Sequence, residues 1–290
     1  MKYDRRRALV ALATSCVFAF ASAMPARAET FSTCNHFVNA IPTTLSSQGV
    51  YCLVRDVSTA IATGAAITVG ANNVTLDCNG YKIGGLGAGE GTEAAGIHLD
   101  ASGDGPGTNF TVRNCTIRGF ATGLFAKGGQ GLLVEDNRFD QSRNKAIDLI
   151  YPNAFVLRRN LISDTGGAGG TTAIGASGYG GDISDNAIRN TYSTDSSVMG
   201  INGGNCVACT VARNRILGMS GTSATGMNFS SSGVNAKQTR VVGNTITLLT
   251  GAATGIQAIN VRGLCKDNTV NGVFSPAVAC STQSGTLHNP

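Results

Sequence analysis

One short pattern recurs along most of this chain: an apolar residue, two variable positions, asparagine, one variable position, and a second apolar residue. It reads Val134–Asn137–Phe139, Leu157–Asn160–Ile162, Ile183–Asn186–Ile188, Val211–Asn214–Ile216, Val241–Asn244–Ile246 and Cys265–Asn268–Val270. An earlier copy, Val112–Cys115–Ile117, carries cysteine where the others carry asparagine, and successive copies lie 22 to 30 residues apart. A second row runs in phase with it, a small residue followed by an apolar one: Gly96-Ile97, Gly123-Leu124, Ala146-Ile147, Ala173-Ile174, Gly200-Ile201, Gly226-Met227 and Gly255-Ile256. Chance glycines would drift against the asparagines, so two rows in step mark a structural repeat.

A repeat of this length belongs to solenoids, in which each unit buries its apolar face only against its neighbours. Every repeat then supplies short strands with alternate residues turned inward, joined by tight turns. Equivalent residues of successive coils stand roughly 4.8 Å apart. An asparagine repeated at one turn is expected to accept left-handed backbone geometry and to hydrogen-bond to its copies above and below.

The segment Ala71-Asn72-Asn73-Val74-Thr75-Leu76-Asp77-Cys78-Asn79-Gly80-Tyr81-Lys82-Ile83, together with the asparagine row, resembles the right-handed parallel β-helix superfamily, which includes pectate lyases and the periplasmic NosD-like proteins. The resemblance covers roughly residues 48–271. It implies an all-β fold: a single-stranded right-handed parallel β-helix of about eight to nine coils with capped ends. Residues 29–50 are expected to form the N-terminal cap, 51–271 the β-helix and 272–290 the C-terminal cap or tail, since an open solenoid end is an exposed sheet edge. The glycine-rich stretch from Gly84 to Gly107, carrying Glu90 and Glu93, reads as a long loop leaving the first coils.

Lys2, Arg5, Arg6 and Arg7 precede an apolar run from Ala8 to about Ala23 and then Ala26-Arg27-Ala28, the order of a secretory signal peptide cleaved after Ala28. The apolar run is shorter than the roughly 20 residues of a spanning helix, so no membrane span is expected after cleavage. Five of the 22 basic and one of the 17 acidic residues fall in this leader, leaving a formal +1 on the remainder. The basic balance of the whole chain therefore gives no reason to expect a nucleic-acid partner. The expected localisation is secreted or periplasmic. Eight cysteines follow the leader, and an even number in an exported chain favours disulfides. Sequence order suggests Cys34–Cys52, Cys78–Cys115 and Cys265–Cys280, leaving Cys206-Val-Ala-Cys209 as a tight disulfide, a redox motif or half a metal site.

Aligning the coils gives a surface map. Asp136, Arg159, Asp185 and Arg213 stand one residue before the asparagine row, and Arg113, Glu135 and Arg158 two before it. Their alternating signs read as a neutralising surface ladder. On the strands of the glycine row, Ile97 and Leu99 point in while His98 and Asp100 point out. The following coils expose Phe125 and Lys127, then Asp148, with Arg143 and Lys145 in the turn before it. By resemblance to pectate-lyase-like enzymes, this face and its loops form a sugar groove.

The expected partner is accordingly a polysaccharide or cell-envelope glycan. His98, Asp100, Lys127 and Asp148 are the candidate catalytic residues, with Phe125, Arg143 and Lys145 as candidate substrate-binding residues; no metal and no cofactor is implied. An eliminative lyase on uronate-containing chains needs a basic side chain to take the proton alpha to the carboxylate and a cation to stabilise the charge that develops. Lys127, Lys145 or Arg143 could serve, a lysine base needing a pKa lowered by burial or neighbouring cations. Asp100 and Lys127 share a column one coil apart, so an ion pair is the plainer expectation for them. Hydrolysis fits less well: Asp100 and Asp148 lie roughly 12 Å apart on the coil map, against about 5–9.5 Å for glycosidase carboxylates, unless loop acids such as Glu90 or Asp104 contribute. Phe125, Tyr151, Tyr179 and Tyr192 are the aromatic residues available for sugar stacking, and packing is the favoured role for each. The alternative function is a non-catalytic periplasmic or surface module. A NosD-like role in metal-centre assembly is disfavoured by the shortage of histidine and methionine on the mapped faces, and an ice-binding role by the lack of a repeated exposed threonine column. Oligomeric state is not specified by the sequence.

Overall fold

Short β-branched and apolar segments separated by Gly, Asn and Asp cannot build a flat sheet with solvated edges; wound on themselves, they pair every strand with the coil below and the coil above. The computed structural model of the protein describes residues 34–101, 107–229, 238–251, 256–272, 277–285 and 287–289. The expected leader, residues 1–28, lies outside the described residues, as does Asp104. Three strands make a coil. In one turn they are Phe110–Arg113, Thr116–Arg118 and Thr122–Lys127, and in the next Leu133–Glu135, Arg138–Asp140 and Lys145–Asn153. Each strand pairs in parallel with its counterpart one coil on, giving three rows of strands, and the chain is a right-handed parallel β-helix of about eight turns.

The core consists of three inward columns. Ile97, Leu124, Ile147, Ile174, Ile201, Met227 and Ile259 line one row; Val112, Val134, Leu157, Ile183, Val211, Val241 and Cys265 a second; Ile83, Ile117, Phe139, Ile162, Ile188, Ile216, Ile246 and Val270 the third. All are buried, and each rests on near-identical neighbours, so the core extends by repetition of one local arrangement. The small-residue row has a packing cause. A Cβ added at Gly123 would stand 2.6 Å from Phe139 Cδ1, and one at Gly200 2.8 Å from Ile216 Cδ1; the bulky third-row residue already fills that space. The last member differs from the sequence alignment. Ile259 is the partner of Met227 and Ile256 of Ala224, so Ala258-Ile259 completes the row; Gly255 lies outside the described residues.

The asparagines form a buried ladder. Asn160 Nδ2 donates to Val134 O of the coil before, at 2.9 Å, and to Asn186 Oδ1 of the coil after, at 3.0 Å. Asn186 and Asn214 repeat the arrangement. Cys115 heads the column, its N–H donating to Asn137 Oδ1. The left-handed backbone expected of these asparagines belongs to the residue before each. Asp136, Arg159, Asp185, Arg213 and Asp267 have φ between 54° and 58°, and Gly243 has 66°. The left-handed turn residue aims the next side chain inward, and that side chain carries the ladder.

The side chains on this left-handed column and its neighbour pair across coils as the alternating signs indicate. Arg113 meets Asp77 at 2.8 Å, Arg158 meets Glu135 at 2.7 Å, Arg159 meets Asp136 at 2.7 Å and Arg213 meets Asp185 at 2.7 Å. The Arg159 hydrogen bonds hold the Asp136 carboxyl below its ordinary value, and Arg213 does the same for Asp185.

At the N-terminal end His36–Val38 pairs with Gly49–Leu53 and Thr43–Leu45 with Ala65–Val69. At the other end Ala277–Ser284 pairs with Ile256–Lys266. The disulfides Cys34–Cys52, Cys78–Cys115 and Cys265–Cys280 join as sequence order suggests, and Cys206–Cys209 closes on itself, which resolves that pair as a disulfide. The glycine-rich stretch after Gly84 is divided: a loop with a short 3-10 turn, Leu86–Ala88, is followed by the strand Ala95–Asp100.

Candidate functional site

The register fixes where every predicted site residue stands. His98, Phe125 and Asp148 occupy one outward column on three consecutive coils, continued by Gly175 and Asn202. Asp100, Lys127 and Ile150 form a second column, and Thr122, Lys145 and Thr172 a third on the other side. The face thus brings His98, Asp100, Phe125, Lys127, Lys145 and Asp148 onto one surface. Arg143 stands just before this face, at the corner where the third row of strands gives way to the first.

Two pairings reduce what these groups are free to do. Lys145 Nζ lies 2.9 Å from Asp148 Oδ2, an ion pair three residues apart along one strand. The Asp148 side chain is only 13% exposed, and Gly175 gives it room: a Cβ there would stand 2.8 Å from Asp148 Oδ1. His98 packs on Phe125, with ring centroids 5.2 Å apart. Lys127 is exposed.

The corner beside this face is concave. A groove of about 780 Å³ runs between the loop around Glu90 and the bends at Asp164 and Asn190, with Arg143, Tyr192 and Thr194 in its walls. A second hollow of about 430 Å³ shares Arg143, Gly167 and Ala168 with it and reaches Glu93, Thr122 and Asn144, so the concavity leads onto the strand face. Its far wall is held by packing and by a hydrogen bond. Gly119, at φ 80°, leaves the space that Leu86 occupies, and Arg143 Nη1 donates to Gly89 O at 2.9 Å. Its floor is shaped by Gly166, where a Cβ would run into the Tyr192 ring.

The sequence map found Arg143, Glu90 and Tyr192 but missed Gln141, Asp164 and Asn190. These three have φ of 52°, 54° and 52°, and with Gly119 and Gly218 they form a second left-handed column at the corner. The signal was a fixed offset, since each stands four residues after a ladder position: Cys115, Asn137, Asn160, Asn186 and Asn214. Asn190 Nδ2 donates to Asp164 Oδ1 at 2.6 Å, so neighbours in this column also pair.

The aromatic residues correct another expectation. Packing is the role expected of Tyr151 and Tyr179, yet they are 57% and 55% exposed. Among the described residues no group of three or more His, Cys, Asp or Glu converges as a metal site, and no helix is long and apolar enough to cross a membrane.

Fold and groove together define a class, a right-handed parallel β-helix protein with a polar cleft along one lateral face. The family model described as "Right handed beta helix region" matches residues 46–175. Dettilon tailspike protein (gp208) is similar in structure at 14% identity and a TM-score of 0.37, with 88% of this chain and 60% of that one covered. This chain thus spans about three fifths of the tailspike. The mannuronan C-5 epimerase AlgE6 A-module of Azotobacter vinelandii is similar at 16% identity and a TM-score of 0.30, with 83% and 81% covered. Nothing about this chain's site follows from either likeness. No curated protein sequence matches the chain. Four disulfides fit an extracellular or periplasmic setting.

Proposed function

We propose that this is an exported β-helix that binds polysaccharide, seating a glycan strand across the His98–Phe125–Asp148 face and the groove at its corner. The observation that carries this reading is the groove itself: long, open at its end onto a flat strand face, and walled by Arg143, Glu90, Asp164, Asn190, Thr194 and the Tyr192 ring. Convergent amides, hydroxyls and charges of both signs beside an aromatic ring match a ligand rich in hydroxyls with apolar ring faces. The leader expected over residues 1–28 and the four disulfides agree with a role outside the cytoplasm.

The catalytic form of the proposal is eliminative cleavage of a uronate-containing chain. Its candidate base is Lys127, which lies on the outward column of Asp100 one coil away and would have to act as the neutral amine. In that step the neutral Lys127 amine would take the proton alpha to the uronate carboxylate. The freed electron pair would form the C4–C5 double bond as the C4–O bond to the next sugar breaks, and the departing oxygen would take its proton from water. Arg143, at the opposite end of the strand face from Lys127, would hold a different sugar unit of the chain. The ion pair favours binding without cleavage, because it occupies Lys145 and Asp148 with each other.

Affinity electrophoresis of the full chain through gels containing polygalacturonate, alginate or a neutral β-glucan tests the binding claim, with ultraviolet absorbance of unsaturated ends followed in parallel. Retardation by one of these polymers is the expected result. New absorbance that disappears in Lys127→Ala establishes the lyase form, and retardation without new absorbance establishes the binding form. No retardation and no product would overturn the reading.

A further inference from the structure

Beyond the groove, the far end of the same strand face carries two tyrosines whose exposure no packing accounts for. Tyr151 and Tyr179 lie on consecutive coils, within Lys145–Asn153 and Thr171–Tyr179, and more than half of each is open to solvent. The backbone at Tyr151 is unusual. Its φ is 57°, and it is the only aromatic residue among the described positive-φ positions, the others being Asn, Asp, Gln, Arg, Ala or Gly. The strand register also shifts here, between Ile150 and Asn153, so a bulge turns Tyr151 out of the regular pleat.

The surroundings keep the rings uncovered. On the coil before, Gly128 and Gly129 run alongside the bulge, the Gly128 N–H donating to Ile150 O and the Asn153 N–H to Gly129 O. On the coil after, Gly178 lies against Pro152 so closely that a Cβ would collide with the Pro152 carbonyl. Glycine thus flanks the bulge on both neighbouring coils, and Tyr151 is 57% exposed. Lys127, Gln130, Asn153 and Ser177 are the polar groups nearby, and Ile150 is half-buried.

We propose that Tyr151 and Tyr179 are stacking platforms for pyranose rings at the outer edge of the glycan-binding face; this rests on the polysaccharide reading above. A protein interface is built around a continuous apolar core, whereas beside these two rings the apolar neighbours are Ile150, Pro152 and Val207, the last bridged to Tyr179, interspersed with glycines, amides and a lysine. A pyranose offers what this edge accepts, an apolar C–H face for each ring and a rim of hydroxyls for the amides. Tyr179 pairs with Asn153, two residues past Tyr151, so a glycan strand resting on both rings crosses the edge of the face obliquely.

The test measures affinity for the polymer that retards the wild-type chain, among polygalacturonate, alginate and a neutral β-glucan. Tyr151→Ala and Tyr179→Ala are each expected to weaken binding about tenfold, while Tyr151→Phe and Tyr179→Phe keep it, because the face of the ring is what counts. Tyr151→Asn, whose side chain suits the left-handed backbone, weakens binding equally and guards against misfolding as the cause. Tyrosine fluorescence that changes on glycan addition in the wild type, and less so in the Tyr151→Phe, Tyr179→Phe double variant, gives an independent readout. Wild-type retardation with unchanged affinity in both alanine variants would overturn the platforms and leave the glycan face standing. No wild-type retardation overturns both. Self-association that needs both rings, with no glycan effect, overturns the assignment to sugar.

Discussion

Asn160 Nδ2 donates to Asn186 Oδ1 at 3.0 Å, and the same oxygen accepts the backbone N–H of Asn160, also at 3.0 Å. One side chain therefore satisfies two donors of the coil before it, while its own amide reaches back to Leu157 O at 2.9 Å. In a column buried to 2% exposure or less, truncating Asn186 strands all of these groups at once. Asn186→Ala is expected to lower unfolding free energy by roughly 2–5 kcal/mol, since each buried unsatisfied group costs about 1–3 kcal/mol. Asn268→Ala, at the far end of the column, is expected to cost less than Asn186→Ala. Urea unfolding of the two variants checks both the size and the order.

The ion-pair ladder predicts an acid limb in the stability profile. Asp136 and Asp185 are held below the ordinary aspartate value by hydrogen bonds from Arg159 and Arg213. Their contribution is complete above about pH 3.9, the unfolded value, and is lost as the pH falls through the lower folded value. Both carboxylates are about two fifths exposed, so each pair is expected to supply only about 0.2–1 kcal/mol. Thermal melts between pH 6 and pH 2 (roughly the window this linkage sets) should show a shallower acid decline for Asp185→Asn than for the wild type, and added salt should narrow the difference.

The four disulfides differ in how much chain they close. Cys78–Cys115 spans 37 residues and joins consecutive coils at the head of the ladder, whereas Cys206–Cys209 spans three. On the loop-entropy account, replacing the first pair by alanine should cost about 2–4 kcal/mol and replacing the second clearly less. Denaturant midpoints of the Cys78→Ala, Cys115→Ala and Cys206→Ala, Cys209→Ala double variants compare them directly; equal losses would contradict this ranking.

The columns of Val, Ile and Asn were legible in the sequence because a solenoid turns each local requirement into a repeat. The same rule placed His98 beside Phe125 and Lys127 beside Asp100 without coordinates. It failed where the chain departs from the repeat. Ile256 imitates a row member in the sequence, but the register pairs it with Ala224 and gives the place beside Met227 to Ile259. Asparagine's backbone tolerance points to Asn137 and its equivalents for the left-handed turn, yet Asp136 and Arg159 adopt it, because the fold needs the asparagine inside more than it needs that tolerance. The groove wall at Glu90 belongs to a non-repeating loop, and the exposure of Tyr151 depends on a bulge. Neither leaves a periodic trace.

Gly175 offers the sharpest test of the face itself. It follows Asp148 in the outward column, and a Cβ there would stand 2.8 Å from Asp148 Oδ1. The atom in the way is the end of a movable side chain, so Gly175→Ala should fold with little loss of stability while turning the carboxylate away from Gly175. That rotation loosens the 2.9 Å contact with Lys145 and changes the charge pattern beside the groove. Affinity for the polymer that retards the wild type is expected to fall about three- to tenfold, roughly the 0.6–1.4 kcal/mol of one displaced polar contact, with the melting temperature nearly unchanged. Lys145→Met, which removes the pair's cation, should change affinity in the same experiment. If both variants bind as the wild type does, the glycan contacts the groove without reaching the Asp148 column.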